Sequence, residues 1–284
     1  MFVISGASGN TGSAAATALL AQGHEVRVIV RDAKKGEAWK QRGAEVALAE
    51  LTDTAALTAA VRGADGVYVM LPPNHHADDL LAMQDSLIGH WTAALAAARP
   101  KHVVALSSVG AELPSGSGPI LGVHALESAL GKLSLPVTAV RAAYFMENWG
   151  AVAHPAKADG VLPSTLTLGL STRMVATADI GRTVAAALIA GPSAERVIEL
   201  AGPRDYTPEE VAAAFARVLG RPVQVVPVPD AAIEAVLAQA GMKPKMAALY
   251  HDMIGAFNSG KLAFKGAPRR GSVTIDEVVR GLVG

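Results

Sequence analysis

The chain has 284 residues, of which 51% are hydrophobic and 18% are charged, and its 25 Lys and Arg residues balance 25 Asp and Glu residues. This composition excludes a disordered chain, and the balanced charge gives no sign of a nucleic-acid partner or an anionic membrane partner. The sequence contains no cysteine, which excludes disulfides, thiolate metal sites and a cysteine nucleophile.

The chain begins directly with a strand pattern, so we expect no signal peptide. Its apolar runs stay shorter than the ~18–20 residues of a membrane helix. We therefore expect a globular, cytoplasmic protein with no membrane partner.

Short β-branched runs alternate with longer Ala- and Leu-rich stretches over the first 141 residues. Almost wholly apolar strands are typical of a parallel sheet that helices cover on both faces. The alternation predicts an α/β fold with a doubly wound parallel sheet of the Rossmann type. The predicted strands are Phe2–Ser5, Glu25–Val30, Glu45–Leu48, Gly66–Leu71, His102–Ser107 and Val137–Arg141, and the predicted helices are 10–22, 34–42, 53–62, 77–99 and 120–134.

After residue 141 the alternation weakens. Scattered Gly and Pro predict no long helix over 142–172, and Asp179 is expected to cap a helix that runs to Ala190. Later elements are a strand at Val197–Leu200, a helix that opens at Thr207-Pro208, a helical pattern over 229–258 and a last helix at Ile275–Leu282. We predict an NAD(P)-binding Rossmann domain over 1–150, to which 172–200 returns, and a smaller, mixed C-terminal substrate or cap region over 151–284.

Three glycines, Gly6, Gly9 and Gly12, lie between the first predicted strand and the first predicted helix. In this turn glycine permits a positive φ, lets the backbone approach a pyrophosphate, and lets the helix pack tightly on the strand. The helix that follows points its positive N-terminus at the anion. The stretch predicts a dinucleotide phosphate site, and the alternative is a glycine-rich turn that binds nothing.

The end of the second predicted strand indicates which dinucleotide binds. An acid there binds the adenosine ribose, whereas an arginine accommodates a 2′-phosphate. Arg31 is the first polar residue after the apolar run, and its guanidinium can pair with a phosphate. NADP(H) is therefore favoured over NAD(H), unless Asp32 binds the ribose and Arg31 belongs to a solvated face with Lys34 and Lys35.

With these residues the sequence resembles the NmrA-like branch of the atypical short-chain dehydrogenases/reductases. The matching segments are Gly6–Gly12, Val30-Arg31, Val69–Pro73, Leu106–Ser108, Arg141–Asn148 and Asp179–Arg182. The resemblance implies a Rossmann domain with bound NADP(H) or NAD(H). It also implies one of two functions: reduction of quinones or similar conjugated acceptors, or redox sensing by a regulator without turnover.

The resemblance also implies roles for individual residues. The pyrophosphate contacts would come from Gly6, Ser8, Gly9, Asn10, Thr11 and Gly12, and the 2′-phosphate contact from Arg31. The strand-end residues Leu71, Pro72 and Pro73 would lie along the cofactor, Ser107 and His124 near the nicotinamide, and Tyr144 and Phe145 after the sixth strand.

Many relatives in this superfamily pair a tyrosine acid with a lysine four residues later on one helix face. Here the matching positions read Ile120 and His124. The missing tyrosine disfavours simple ketone reduction, because a carbonyl without a proton donor is a poor hydride acceptor. His124 is expected to contact the ribose or donate a proton, since an unperturbed histidine titrates near neutral pH; the alternative is an ordinary helix histidine. Ser107 is expected to support it.

Aromatic residues after the sixth strand have two interpretations. Tyr144, Phe145 and Trp149 either line a pocket for an aromatic substrate or pack two parts of the chain together. The helical spacing of Tyr250, Met253 and Phe257 indicates a core or dimer face.

We predict an NADPH-dependent oxidoreductase that transfers hydride to a quinone-like or other conjugated small molecule, apolar or aromatic in character. The alternative is a non-catalytic NADP(H)-sensing regulator with a protein partner, and an NAD-linked epimerase or lyase is favoured less. We expect no metal site, because His75 and His76 are adjacent and do not converge readily on one ion. A homodimer is left open.

Overall fold

The computed structural model describes residues 1–193 and 195–284. Its strands are β1 (Phe2–Ile4), β2 (Val26–Val30), β3 (Glu45–Leu48), β4 (Gly66–Val69), β5 (Val103–Ser108), β6 (Val137–Ala142), β7 (Tyr144–Phe145), β8 (Val161–Ser164), β9 (Thr172–Val175), β10 (Val197–Ala201), β11 (Asp205–Tyr206), β12 (Gln224–Pro227) and β13 (Arg269–Arg270). One sheet has the order β3-β2-β1-β4-β5-β6-β10-β13, and its pairings are parallel. The order 3-2-1-4-5-6 is that of dinucleotide-binding folds, so the predicted fold class is confirmed.

Helices cover both faces of this sheet. They are α1 (Asn10–Ala21), α2 (Ala33–Gln41), α3 (Thr54–Val61), α4 (Leu80–Ala98), α5 (Ile120–Leu130), α6 (Ala153–Asp159), α7 (Thr177–Ala190), α8 (Pro208–Leu219), α9 (Ile233–Gln239), α10 (Pro244–Asn258) and α11 (Ile275–Val283), with 3-10 turns at Met146–Val152 and Asp230–Ala232. Successive strand side chains point to opposite faces. Ile4 of β1 thus packs in a core with α1 and α7, and its neighbour Val3 packs in a second core with α3, α4 and α5.

Several helices begin at a side chain that satisfies the free N–H groups of the first turn. The carboxylates of Asp32, Asp53 and Asp79 accept these hydrogen bonds at the starts of α2, α3 and α4. Thr207 and Thr274 form capping boxes at α8 and α11. By contrast, α1, α5 and α7 receive no such bond from their own N-cap residues.

The start of α7 differs from the prediction. The helix begins at Thr177, so Asp179 is its third residue and the predicted cap is wrong. Glu147 does the capping: its Oε1 accepts hydrogen bonds from the Thr177 backbone N at 2.8 Å and Oγ1 at 2.6 Å. Asp179 instead accepts from Val273 N at 2.9 Å and from Arg182 at 2.5 Å, which ties α7 to the segment before α11.

Parts of the second half return to the main sheet. Strand β10 pairs with β6, and α7 packs on α1 at Gly181, where a Cβ atom would lie 2.3 Å from the Ala14 Cβ. Strand β9 pairs instead with β7 and β11 in a small sheet, and β8 pairs with β12. The division into a domain at 1–150 and a region at 151–284 stays a prediction.

The helical pattern over 229–258 forms a 3-10 turn, α9 and α10. The break between α9 and α10 lies at 240–243, where Gly241 has a φ of +90°, and Pro244 starts the next helix. Among the described residues, none of these helices combines the length and the apolar character that crossing a bilayer requires.

Candidate cofactor and active site

The three glycines of the first turn differ in whether the fold requires a glycine at that position. Gly6 has a φ of +65°, a conformation that favours glycine. A Cβ at Gly12 would lie 2.3 Å from the Gly6 carbonyl oxygen, so the fold itself requires glycine there. A Cβ at Gly9 would meet only that oxygen, at 3.5 Å, which is an ordinary contact. No contact among the described residues requires glycine at position 9, and its open side fits the close approach of a ligand.

The start of α1 presents free backbone N–H groups at this turn. Its N-cap is Gly9, which has no side chain to bond them. Ser8, Gly9 and Asn10 are exposed, whereas Thr11 is buried. The Tyr68 hydroxyl donates to Thr11 Oγ1 at 3.0 Å, so the Thr11 side chain anchors the turn to β4. Its backbone N–H is left to face an anion.

Two charged residues follow β2: Arg31, whose guanidinium is exposed, and Asp32, whose carboxylate is hydrogen-bonded. Asp32 Oδ1 accepts a hydrogen bond from Lys34 N at 2.8 Å and so caps α2. The Arg31 side chain is exposed, and in the described part of the chain it has no hydrogen-bond partner. This geometry favours the phosphate interpretation of Arg31 over the ribose interpretation of Asp32.

The segment after β4 borders the turn. Met70 lies against Gly6, where a Cβ would stand 2.9 Å from its Sδ. Leu71 is buried, Pro72 is half-buried and Pro73 is exposed. The segment therefore has the position expected of a cofactor border, and its contact with a cofactor stays a prediction.

Ser107 is the least accessible of the predicted active-site residues. It lies in β5, its side chain is buried, and its hydroxyl donates to Glu127 Oε1. The Arg141 guanidinium binds the same carboxylate through Nε at 2.9 Å and Nη2 at 2.7 Å. The hydrogen bond to Glu127 raises the pKa of Arg141 above its usual range. Because its one O–H is engaged, Ser107 has only lone pairs to offer a ligand.

His124 has one ring nitrogen engaged and one free. Its Nδ1 lies 2.8 Å from the carbonyl oxygen of Ala111, and a carbonyl only accepts, so Nδ1 carries the hydrogen. Nε2 has no hydrogen-bond partner among the described residues. Ile120, one turn earlier on α5, is buried in the core. At the expected acid position α5 thus presents an apolar side chain.

Some of the aromatic residues after β6 pack in the core, and others remain candidates for the wall of a substrate pocket. Trp149 is buried, and its Nε1 lies 3.5 Å from Met174 Sδ, so it packs the core. Tyr144 is half-buried and meets Phe257 of α10 edge to face, with ring centroids 5.3 Å apart. Burial raises the pKa of Tyr144 to about 12, which keeps the phenol protonated at neutral pH. Phe145 is half-buried, so it and Tyr144 are left as candidate pocket walls.

Helix α10 packs against the segments that follow β4, β5 and β6. It packs on Gly118, where a Cβ would lie 2.2 Å from the Leu249 carbonyl oxygen. The His75 ring lies 5.6 Å from that of Tyr250, so the loop after β4 contacts α10. Two ion pairs, Lys243–Asp78 and Lys245–Asp79, join that loop to the start of the helix.

A cleft of about 580 Å³ borders the glycine turn. Its walls include Ser8, Gly9, Asn10, Glu147 and Thr177, together with residues of α11. It thus contacts the turn but, as far as the described chain goes, not the predicted adenosine and nicotinamide ends of the site.

The sequence interpretation missed three residues that the site depends on. Glu127 and Glu112 bind Arg141, and Glu147 caps α7. A carboxylate on α5 and an arginine ending β6 were visible in the sequence, but only the strand register places Arg141 beside Ser107.

Comparison with known proteins matches residues 1–267 to the NmrA-like family. A (4-alkanoyl-5-oxo-2,5-dihydrofuran-3-yl)methyl phosphate reductase from Streptomyces griseus is 30% identical over 79% of this chain and 76% of its own. An NAD(P)H azoreductase from Xenophilus azovorans is 27% identical over 87% of this chain and 84% of its own.

Solved structures share the fold at lower identity. An NADPH-dependent quinone oxidoreductase from Escherichia coli, solved with NADPH, superimposes with a TM-score of 0.81 at 23% identity over 100% of both chains. A triphenylmethane reductase from Citrobacter sp., solved with NADP(H), gives a TM-score of 0.81 at 19% identity over 99% of both chains. The family match spans nearly the whole chain, and this chain belongs to the NmrA-like family.

Proposed function

We propose that this chain is an NADPH-dependent reductase that transfers hydride to a quinone-like or other conjugated small molecule. The observation that carries the proposal is the glycine turn. Position 9 is glycine although the fold leaves room for a side chain there, and the adjoining N–H groups of α1 have no side-chain cap. Both features fit an anionic group held against the backbone.

The residues present fit NADPH better than NADH. Arg31 is exposed at the end of β2, beyond the turn, and a guanidinium can bind a 2′-phosphate through two parallel hydrogen bonds. Asp32, which would favour a ribose hydroxyl, is engaged as the cap of α2. When bound, the nicotinamide supplies a hydride.

The chain's own residues would orient the acceptor and manage one proton. Reduction of a quinone consumes NADPH, the quinone and one proton, and gives NADP⁺ and a hydroquinone. Ile120 and Ser107 do not donate that proton, because one is apolar and the hydroxyl of the other is engaged with Glu127. We assign it to the imidazolium form of His124, which donates from Nε2 while Nδ1 stays bonded to the Ala111 carbonyl, or to water, which suffices for a delocalised anion.

The relatives support this acceptor class. The names of the two curated relatives describe reductases of an azo compound and of an oxo-dihydrofuran with an alkanoyl group. Tyr144 and Phe145, both half-buried, offer aromatic surface where such a flat molecule would stack. This surface is consistent with an apolar or aromatic substrate.

The test is NADPH oxidation by the purified protein with a panel of quinones, azo dyes and unsaturated ketones. We expect turnover with at least one conjugated acceptor and much slower turnover with NADH. Binding of NADPH without its oxidation by any member of the panel would refute the reductase.

The second candidate is a redox sensor without turnover. The observation that favours it is Ile120, because a buried isoleucine stands where an acid is expected. A sensor requires different affinities for NADPH and NADP⁺, or a protein partner that binds one form only. Calorimetry with both forms separates the candidates: equal affinities, together with turnover, would exclude the sensor.

A further inference from the structure

Arg141 binds two carboxylates that belong to different segments. Its Nε and Nη2 bind Glu127 of α5 at 2.9 and 2.7 Å, and its Nη1 binds Glu112 at 2.9 Å. The three side chains are 13%, 17% and 22% exposed, respectively, so water competes little with these bonds. Ser107 adds a further hydrogen bond to Glu127. The end of β6 therefore holds both α5 and the turn after β5.

The same two segments carry the two ends of another hydrogen bond. His124 lies on α5, one turn before Glu127, and its Nδ1 donates to the carbonyl of Ala111 at 2.8 Å. Ala111 directly precedes Glu112 in the chain. A shift of either segment relative to the other would lengthen this hydrogen bond.

We propose that Arg141 is a positioning residue for His124. By binding Glu127 and Glu112 it holds α5 and the turn at the spacing that the His124–Ala111 bond requires. That bond keeps the hydrogen on Nδ1 and leaves Nε2 free. The guanidinium suits this task because its planar fork binds two carboxylates at fixed angles, which an ammonium cannot do.

The inference deepens the proposed function and rests on it for its catalytic meaning. Ring orientation and tautomer decide which nitrogen meets a substrate. With Nδ1 held by the backbone, Nε2 is the atom that would accept a hydrogen bond from the ribose in the neutral ring, or deliver the proton from the imidazolium. The tautomer itself is a property of the protein without cofactor, and so can be measured separately from activity.

The experiment measures the tautomer of His124 by ¹⁵N NMR of the histidine-labelled full chain, with the His124→Gln spectrum as the assignment. The variants are Arg141→Lys, which loses the fork, and Glu112→Gln, which loosens only the turn. The matched control is Arg27→Met, because Arg27 also binds a glutamate of the main sheet region, Glu45, through Nε at 2.8 Å and Nη2 at 3.0 Å.

We expect the Nδ1-protonated form in the wild-type chain and in Arg27→Met. Arg141→Lys and Glu112→Gln should shift the population toward Nε2 protonation. An unchanged tautomer in both variants while they remain folded, or an equal shift in Arg27→Met, would overturn the proposal. If Arg141→Lys does not fold, Glu112→Gln decides the question alone.

Kinetics then link the tautomer to turnover. Arg141→Lys and Glu112→Gln should lower kcat for quinone reduction about tenfold, which is less than the roughly 10²–10⁴-fold that a general acid contributes because the ring is displaced and not removed, and leave KM for NADPH nearly unchanged. A wild-type chain that binds NADPH but never turns over would refute the reductase and leave the tautomer result standing. Turnover that these variants do not alter would refute only the catalytic role of the positioning.

Discussion

Gly12 lies directly against Gly6: a Cβ atom at position 12 would stand 2.3 Å from the Gly6 carbonyl oxygen. Gly9, between them, has an extended backbone with a φ of −105° and no such contact. The turn thus contains two glycines that the fold needs, Gly6 for its positive φ and Gly12 for this contact, and one that it does not, Gly9.

This difference predicts opposite results for two alanine variants. Gly12→Ala should lower the free energy of unfolding by about 2 kcal/mol or more, because the new methyl group overlaps backbone atoms. Gly9→Ala should keep its thermal stability and weaken NADPH binding at least about tenfold, which corresponds to 1.4 kcal/mol. Thermal melts and calorimetry of both variants test this. Unweakened NADPH binding by Gly9→Ala would contradict the phosphate site.

Arg31 and Asp32 provide a second matched pair. Arg31→Ala should weaken NADPH binding about 10- to 100-fold, since a hydrogen bond to a charged group contributes about 1.5–3 kcal/mol, and should leave NADH binding unchanged. Asp32→Ala should cost about 1 kcal/mol of stability as a lost helix cap. Titration with both dinucleotides measures the preference. Loss of NADH affinity in Asp32→Ala would favour the ribose interpretation instead.

Tyr144 should act as a wall and not as an acid. Burial raises its pKa to about 12, which makes the phenol a poor proton donor, so Tyr144→Phe should retain the rate of quinone reduction. Tyr144→Ala should lose stability by about 2–3 kcal/mol, because the edge-to-face contact with Phe257 disappears. Chemical denaturation and steady-state kinetics check both variants. A rate lost in Tyr144→Phe would identify the phenol as a participant.

His251 should stabilise the fold more at low pH. Asp230 and Glu234 accept hydrogen bonds from its ring at 3.0 and 3.1 Å and raise its pKa, the bond to Asp230 contributing most. Protonation in the folded state is therefore favoured, so the stabilisation is complete below about pH 6.5, the unfolded pKa, and is lost as pH rises through the folded pKa. At this exposed site we expect under about 1 kcal/mol. Unfolding of His251→Gln at pH 5.5 and 8.5, compared with wild type, should show the larger loss at the lower pH; no difference would refute it.

His102 should show the opposite pH dependence. It is buried, with Nε2 at 3.0 Å from Thr138 Oγ1, and burial lowers its pKa. Its contribution to stability is therefore present above the unfolded pKa and is lost as pH falls toward the folded pKa. In the same unfolding series, His102→Gln should lose less free energy of unfolding at acid pH than the wild-type chain does. An unchanged pH dependence below about pH 6.5 would contradict this prediction.

Local patterns were enough to predict the sheet and the glycine turn. Apolar runs of strand length, and Gly6, Gly9 and Gly12 between a strand and a helix, depend on neighbours within a few residues. The prediction that Asp179 caps α7 was wrong because the capping residue is distant in the sequence. An acid near a predicted helix start is a local signal, but Glu147, 30 residues earlier, takes that role in the folded chain.

The detail of the active site depends on residues that are distant in the sequence. Ser107 was predicted near the nicotinamide, but its hydroxyl binds Glu127, 20 residues later. The loop after β4 meets α10 through Asp78 and Lys243, which are 165 residues apart. Such pairs follow from strand order and helix packing, which one sequence does not contain as local spacing.

Single-turnover mixing is the sharpest test of hydride transfer to a conjugated acceptor. The chain is loaded with NADPH in the absence of oxygen and mixed with a quinone, and NADP⁺ and hydroquinone are quantified. We expect equal amounts of the two products from the wild-type chain, and several-fold less of both from Gly9→Ala at a cofactor concentration near the wild-type Kd. NADPH that binds to the wild-type chain and stays reduced in the presence of every acceptor would exclude hydride transfer by this chain.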